Sequence, residues 1–131
     1  MASPDKELNS MIRVLLVDSD QEQSYMTGML LVAMGYQVQV CNSGSDCIKL
    51  TETFSPHVIL LDIEKPVLDG FQVCGHIRKQ VWGKQVRIIA LTGGTNNQTG
   101  KFDPANGFDG FLHKPACYQE LSDTIANIYQ T

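Results

Sequence analysis

Three apolar runs in this chain each stop at a polar residue: Ile12 to Val17 at Asp18, Val58 to Leu61 at Asp62, and Arg87 to Leu91 at Thr92. Apolar side chains on successive positions fit strands buried on both faces, as in a parallel sheet covered by helices. A shorter fourth run, Asp109 to His113, stops at Lys114-Pro115, and Gln37 to Val40 alternates polar with apolar as a half-buried edge strand does. Between these runs lie helical patterns. Met26, Met29, Leu30 and Ala33 recur at helical spacing over 21–34, and Gly35 suits the residue after a helix. Asn42, Ser43 and Gly44 supply turn and N-cap chemistry for a helix over 45–53, and Pro56 closes it. A third begins at Asp69-Gly70, carries Val73, Cys74, Ile77 and Val81 on one stripe, and breaks near Gly83. A fourth is expected within 96–107, short or frayed because Gly100 and Pro104 disfavour helix interiors. A last spans 118–129, with Leu121, Ile125 and Ile128 inward.

Five strands alternating with five helices imply an α/β fold, a single doubly wound five-stranded parallel sheet, because crossovers are right-handed. Residues 1–10 are polar and aperiodic and read as a flexible tail before a domain over 11–131. The net charge of −4 argues against a nucleic-acid surface, and no run approaches the length of a membrane helix. Cys41, Cys47, Cys74 and Cys117 lack metal-type spacing; free, mostly buried thiols in a reducing cytoplasm are expected rather than two disulfides. His57, His76 and His113 share no ligand spacing, Trp82 has no assigned role, and the Lys and Arg residues are scattered as on a solvated face.

A parallel sheet brings the carboxyl ends of its strands to one edge, where open α/β folds place their chemistry. That gathers Asp18, Ser19, Asp62, Thr92 and Lys114 around one crevice. Hard oxygen ligands without His or Cys suit Mg²⁺, which takes one or two carboxylates and keeps several waters. Two carboxylates about 5 Å apart repel by roughly 3 kcal/mol at an effective dielectric near 20, which a cation or Lys114 offsets.

Asp18 after the first strand, Asp62-x-x-x-Pro66-x-x-Asp69-Gly70, Ala90-Leu91-Thr92-Gly93 and Lys114-Pro115 together resemble the receiver domains of response regulators in two-component signalling. The resemblance runs from Ile12 to Tyr129 and implies a flavodoxin-like (βα)5 fold of strand order 2-1-3-4-5. It implies that Asp62 is the phosphoacceptor for a histidine kinase or phosphotransfer protein, that Lys114 and Thr92 contact the phosphoryl group, and that Lys114-Pro115 is cis. Asp18, Asp62 and the backbone carbonyl of Glu64 would hold Mg²⁺, with Pro66, Asp69 and Gly70 shaping the presenting turn. Thr92 and Phe111 would be switch residues that remodel the face of the fourth helix, last strand and last helix toward a downstream protein or output domain. Such a module is not an enzyme beyond its own phosphotransfer and dephosphorylation. It is expected to be a cytoplasmic monomer or weak dimer with no nucleic-acid or membrane contact, standing alone or as part of a hybrid kinase or longer regulator.

One position departs from the family. Where an acidic pair is usual, the chain reads Asp18-Ser19-Asp20, so Ser19 offers a neutral oxygen at the metal-ligand position. Asp20 is expected to cap the first helix, unless Asp20 or Glu64 turns inward to restore the charge. Weakened Mg²⁺ binding with phosphorylation retained is the expectation; a pseudo-receiver acting as a phosphorylation-independent interaction module is the alternative. A haloacid-dehalogenase-like phosphatase would need a DxD pair where the chain reads Asp62-Ile63-Glu64.

Overall fold

The computed structural model describes residues 9–63, 70–93 and 107–129. Strands β1 (Arg13–Val17), β2 (Gln37–Cys41), β3 (Val58–Asp62), β4 (Arg87–Thr92) and β5 (Gly110–His113) form one sheet in the order β2-β1-β3-β4-β5. Every pairing is parallel. Helices α1 (Gln21–Ala33), α2 (Gly44–Phe54), α3 (Gly70–Lys79) and α4 (Tyr118–Tyr129) cover its faces. The helix expected within 96–107 lies outside the described residues, as do Glu64, Pro66 and Asp69.

The apolar runs do what continuous runs dictate. All five residues of β3 are buried, and Val14 to Val17 of β1 are fully buried. Alternate side chains feed two cores: Leu15, Ile59, Leu61, Ile88 and Ala90 meet α2 and α3 residues such as Cys47 and Ile77, while Val14, Leu16, Leu60 and Ile89 meet Leu31, Leu121 and Ile125. Each aliphatic side chain so buried contributes about 1.5–3 kcal/mol, less the entropy of ordering it.

The caps explain the helix limits. Asp20 accepts the Gln23 N–H at 3.1 Å to start α1, and Ser43 accepts the Asp46 N–H at 3.2 Å to start α2. After α1, Gly35 (φ 101°) donates to Val32 O and Tyr36 donates to Leu31 O, a Schellman motif whose partners Tyr36 and Leu31 share one core.

Two expected stripes change. Of Met26, Met29, Leu30 and Ala33, only Leu30 is partly buried; Met26 and Met29 are more than half exposed. The face of α1 on the sheet is Ser24, Gly28 and Leu31, because small residues let the helix approach: a Cβ on Gly28 would stand 3.4 Å from Val40 Cγ2. Val81, placed on the α3 stripe, is exposed, since α3 ends at Lys79 and a 3-10 turn over Val81–Gly83 redirects the chain. Gly83 is needed in that turn, where a Cβ would lie 1.8 Å from Ile77 O. Two residues of the expected tail are tied to the domain: Asn9 Nδ2 donates to Met34 O at 2.8 Å, and Gln37 Nε2 donates to Ser10 O at 2.7 Å.

Arg78 fastens the amino-terminal edge of the sheet. Its guanidinium donates to Gly107 O, Gly83 O and Val86 O and pairs with Asp109 Oδ2 at 2.8 Å. Asp109 Oδ2 also accepts the Ile88 N–H, joining the start of β4 to the start of β5. None of the four cysteines forms a disulfide; Cys41, Cys47 and Cys74 are buried and Cys117 is exposed. No helix among the described residues is long and apolar enough to cross a membrane.

Candidate functional site

Asp62 is the last residue of β3 and is completely buried, because β1 and β4 flank it and its register partner is Leu91. Asp18 follows β1 and is 1 % exposed. Three polar contacts hold it: Asp18 N donates to Cys41 O at 3.1 Å, Asn42 Nδ2 donates to Asp18 O at 2.6 Å, and Asp18 Oδ1 accepts the Asp20 N–H at 2.9 Å. Asn42 was legible only as a turn residue; its position just past the edge strand, one strand over from Asp18, is what gives it this clamping role.

Lys114 closes the crevice. Its Nζ lies 3.2 Å from Asp18 Oδ2 and 3.2 Å from Asp62 Oδ2, with the side chain one-tenth exposed. The contact to Asp18 is an aligned hydrogen bond, whereas the contact to Asp62 is an ion pair without that alignment. Lys114 N also donates to Thr92 O at 2.7 Å, which carries the chain from β5 across the end of β4, and the following Lys114-Pro115 bond is cis as expected. Thr92, 5 % exposed, ends β4 beside His113 in register. One ammonium therefore serves two buried carboxylates, a formal charge of −1 drawn from β1, β3 and β5.

The remaining candidates divide. Asp20 Oδ1 is engaged as the α1 N-cap, as expected. Ser19 is partly buried and brings no charge. Phe111 is 39 % exposed on β5 and meets the His113 ring edge-on at 5.6 Å between centroids. His113 is exposed with it. Gly70 opens α3, but the rest of the expected presenting turn is outside the described residues. No cluster of three or more His, Cys, Asp or Glu that could hold a metal ion occurs among the described residues.

The response regulator receiver domain model matches residues 14–126. The chain belongs to that family. This receiver is 32% identical over 115 residues to the CAI-1 autoinducer sensor kinase/phosphatase CqsS of Vibrio cholerae, covering 87% of this chain and 17% of that protein. It is 29% identical over 115 residues to protein PilH of Pseudomonas aeruginosa, covering 88% and 95%. Among solved structures, the receiver domain of sensor histidine kinase PA1611 from Pseudomonas aeruginosa, with a magnesium ion coordinated in its active-site cleft, superposes with a TM-score of 0.82 at 28% identity, covering 92% and 98%. Chemotaxis response regulator CheY4 of Vibrio cholerae matches at TM-score 0.80 and 27% identity, covering 89% and 98%. The receiver thus spans nearly all of some relatives and a small part of others. The strand order and the parallel sheet agree with this membership.

Proposed function

We propose that this receiver accepts a phosphoryl group on the carboxylate of Asp62 from a histidine kinase or phosphotransfer protein. The observation that carries the reading is Lys114 Nζ at 3.2 Å from Asp62 Oδ2 at the carboxyl end of a buried strand. An Asp62 oxygen attacks phosphorus, the bond from phosphorus to the donor's imidazole nitrogen breaks, and the imidazole leaves. Lys114 balances charge that would otherwise build up in a desolvated crevice, and the Thr92 hydroxyl would donate to a phosphoryl oxygen. The two hard carboxylates, Asp18 and Asp62, fit Mg²⁺ in chemistry and are the residues that would hold it, with the Glu64 carbonyl as a further candidate. When bound, the ion spreads the negative charge of the transferring group. Ser19 removes one charge from this donor set, so binding is weaker than with an acidic pair.

Movement of Thr92 and Phe111 would then alter the surface around β5 and α4 for a downstream protein or output domain, in the cytoplasm. A second reading, a pseudo-receiver that binds partners without phosphorylation, draws on Ser19 and on the self-contained Asp18–Lys114–Asp62 cluster. Incubation with acetyl phosphate and Mg²⁺, read by intact mass and peptide mapping, separates the two. A phosphoryl adduct on Asp62, lost in Asp62→Asn, is expected. No adduct at saturating reagent and metal favours the interaction module.

A further inference from the structure

The strand ends opposite Asp62 enclose a second cleft, of about 760 Å³, between the end of α2, the 3-10 turn and the starts of β4 and β5. That volume falls in the range of roughly 300–1,000 Å³ typical of small-molecule sites. Its lining includes Arg78, Lys84 and Arg87 against one carboxylate, Asp109, a formal +2 in a chain of net −4.

These cations are not equally committed. Arg78 is consumed by backbone carbonyls and by Asp109 Oδ2, which is also taken by the Ile88 N–H. Arg87 reaches Asp109 only at 3.5 Å and is half exposed. The Lys84 ammonium has no ion pair among the described residues, and the side chain is exposed. Two positive groups on the lining thus remain available.

Trp82 lies on the same cleft, 37 % exposed, while its neighbour Val81 turns to solvent. An indole and cations on one lining suit a planar ring that carries negative charge, and stacking of a nucleobase on an aromatic side chain is a substantial contribution to binding. The ring nitrogen Nδ1 of His57, also on the lining, accepts the Arg13 N–H, so the neutral ring carries its proton on Nε2.

We propose that this cleft binds a free nucleotide or similar planar-ring phosphate, the ring against Trp82 and the phosphate between Lys84 and Arg87. A phosphate monoester near its second ionisation carries a charge of about −1.5 to −2 at pH 7, which matches the two available cations better than a single carboxylate does. A longer nucleic acid is disfavoured, because the surface outside the cleft must carry the compensating formal negative charge.

Trp82 is the only tryptophan in the chain, so its emission reports on the cleft directly. The test titrates the full chain with adenosine monophosphate, guanosine monophosphate, adenosine and inorganic phosphate while following that emission. Saturable quenching by a monophosphate is expected, with adenosine and phosphate each at least roughly tenfold weaker, since each lacks one of the two contacts. Lys84→Ala and Arg87→Ala are each expected to weaken binding about tenfold, and Lys84→Arg to retain it, with melting curves checking that the variants fold. The Lys84 side chain makes no hydrogen bond or ion pair among the described residues, and its backbone carbonyl, which accepts from Arg78, is kept in the alanine variant, so that variant keeps the test open if Arg87→Ala loses the Asp109 contact and unfolds. Absence of saturable quenching by either monophosphate, equal binding of adenosine, or Lys84→Ala binding like the parent would each overturn the assignment.

Discussion

Replacing Lys114 by Met removes the ammonium while keeping an unbranched stem in the crevice. Two carboxylates then face each other with no cation between them. Both Asp oxygens sit 3.2 Å from Nζ, so they can be no more than about 6.4 Å apart, and at an effective dielectric near 20 they repel by at least about 2.6 kcal/mol. Protonation limits the repulsion: holding an aspartic acid neutral at pH 7 costs about 4 kcal/mol, beyond which one carboxylate takes up a proton instead. The metal-free variant is therefore expected to lose about 3–4 kcal/mol, in line with the removal of one partner from a buried ion pair. The sign of the pH dependence follows. Folded variant binds the extra proton, so its stability relative to the parent recovers as pH falls, and at pH 5 holding one carboxyl neutral costs only about 1.5 kcal/mol. Urea unfolding of parent and variant at both pH values, without divalent metal, measures this. A deficit below about 1 kcal/mol at pH 7, or one that does not shrink on acidification, refutes the shared-ammonium account.

Three further outcomes follow from the geometry. Ser19→Asp restores a charge beside Asp18 and should tighten Mg²⁺ binding at least tenfold by titration calorimetry while lowering metal-free stability; unchanged affinity would show that Ser19 is not at the metal position. Gly83→Ala places a methyl group 1.8 Å from Ile77 O and should cost at least about 2 kcal/mol in urea unfolding, whereas a neutral result means that the 3-10 turn yields freely. Burial, then the charge of Arg13, lowers the His57 pKa below its usual 6.5, so the folded state resists protonation: the stability is intact above about pH 6.5 and declines as pH falls below it. His57→Asn, which keeps an acceptor for Arg13 N, should flatten that decline, and a slope equal to the parent's would assign the acid sensitivity elsewhere.

The sheet was legible because its strands are buried on both faces, and Val14 to Val17 or Val58 to Leu61 leave no polar face to confuse the period. Asp18, Asp62, Thr92 and Lys114 were legible for the same reason, since a polar residue that ends such a run has one place to go. Helix α1 was less so. Its contact face uses Gly28 and Ser24, and a hydrophobic pattern cannot register residues selected for smallness, so the larger Met26 and Met29 drew the eye to the outer face. Side-chain reach was invisible too. Nothing local in Arg78 foretells bonds to Gly107 and Asp109, and nothing in Lys84 or Arg87 foretells a common cleft with Trp82. The N-cap at Asp20 was legible from its place just before the first helix, and one N–H, that of Gln23, meets it.

The Arg78 contacts bear on the order in which the sheet is completed. Its bonds to Gly83 and Val86 span only five and eight residues, while those to Gly107 and Asp109 span 29 and 31. Short loops close at lower entropic cost than long ones, so the guanidinium is set by its own neighbourhood before β5 docks. The last strand, four residues long, then adds to a prepared latch, and the arrival of β5 on β4 becomes the late step at this edge of the sheet.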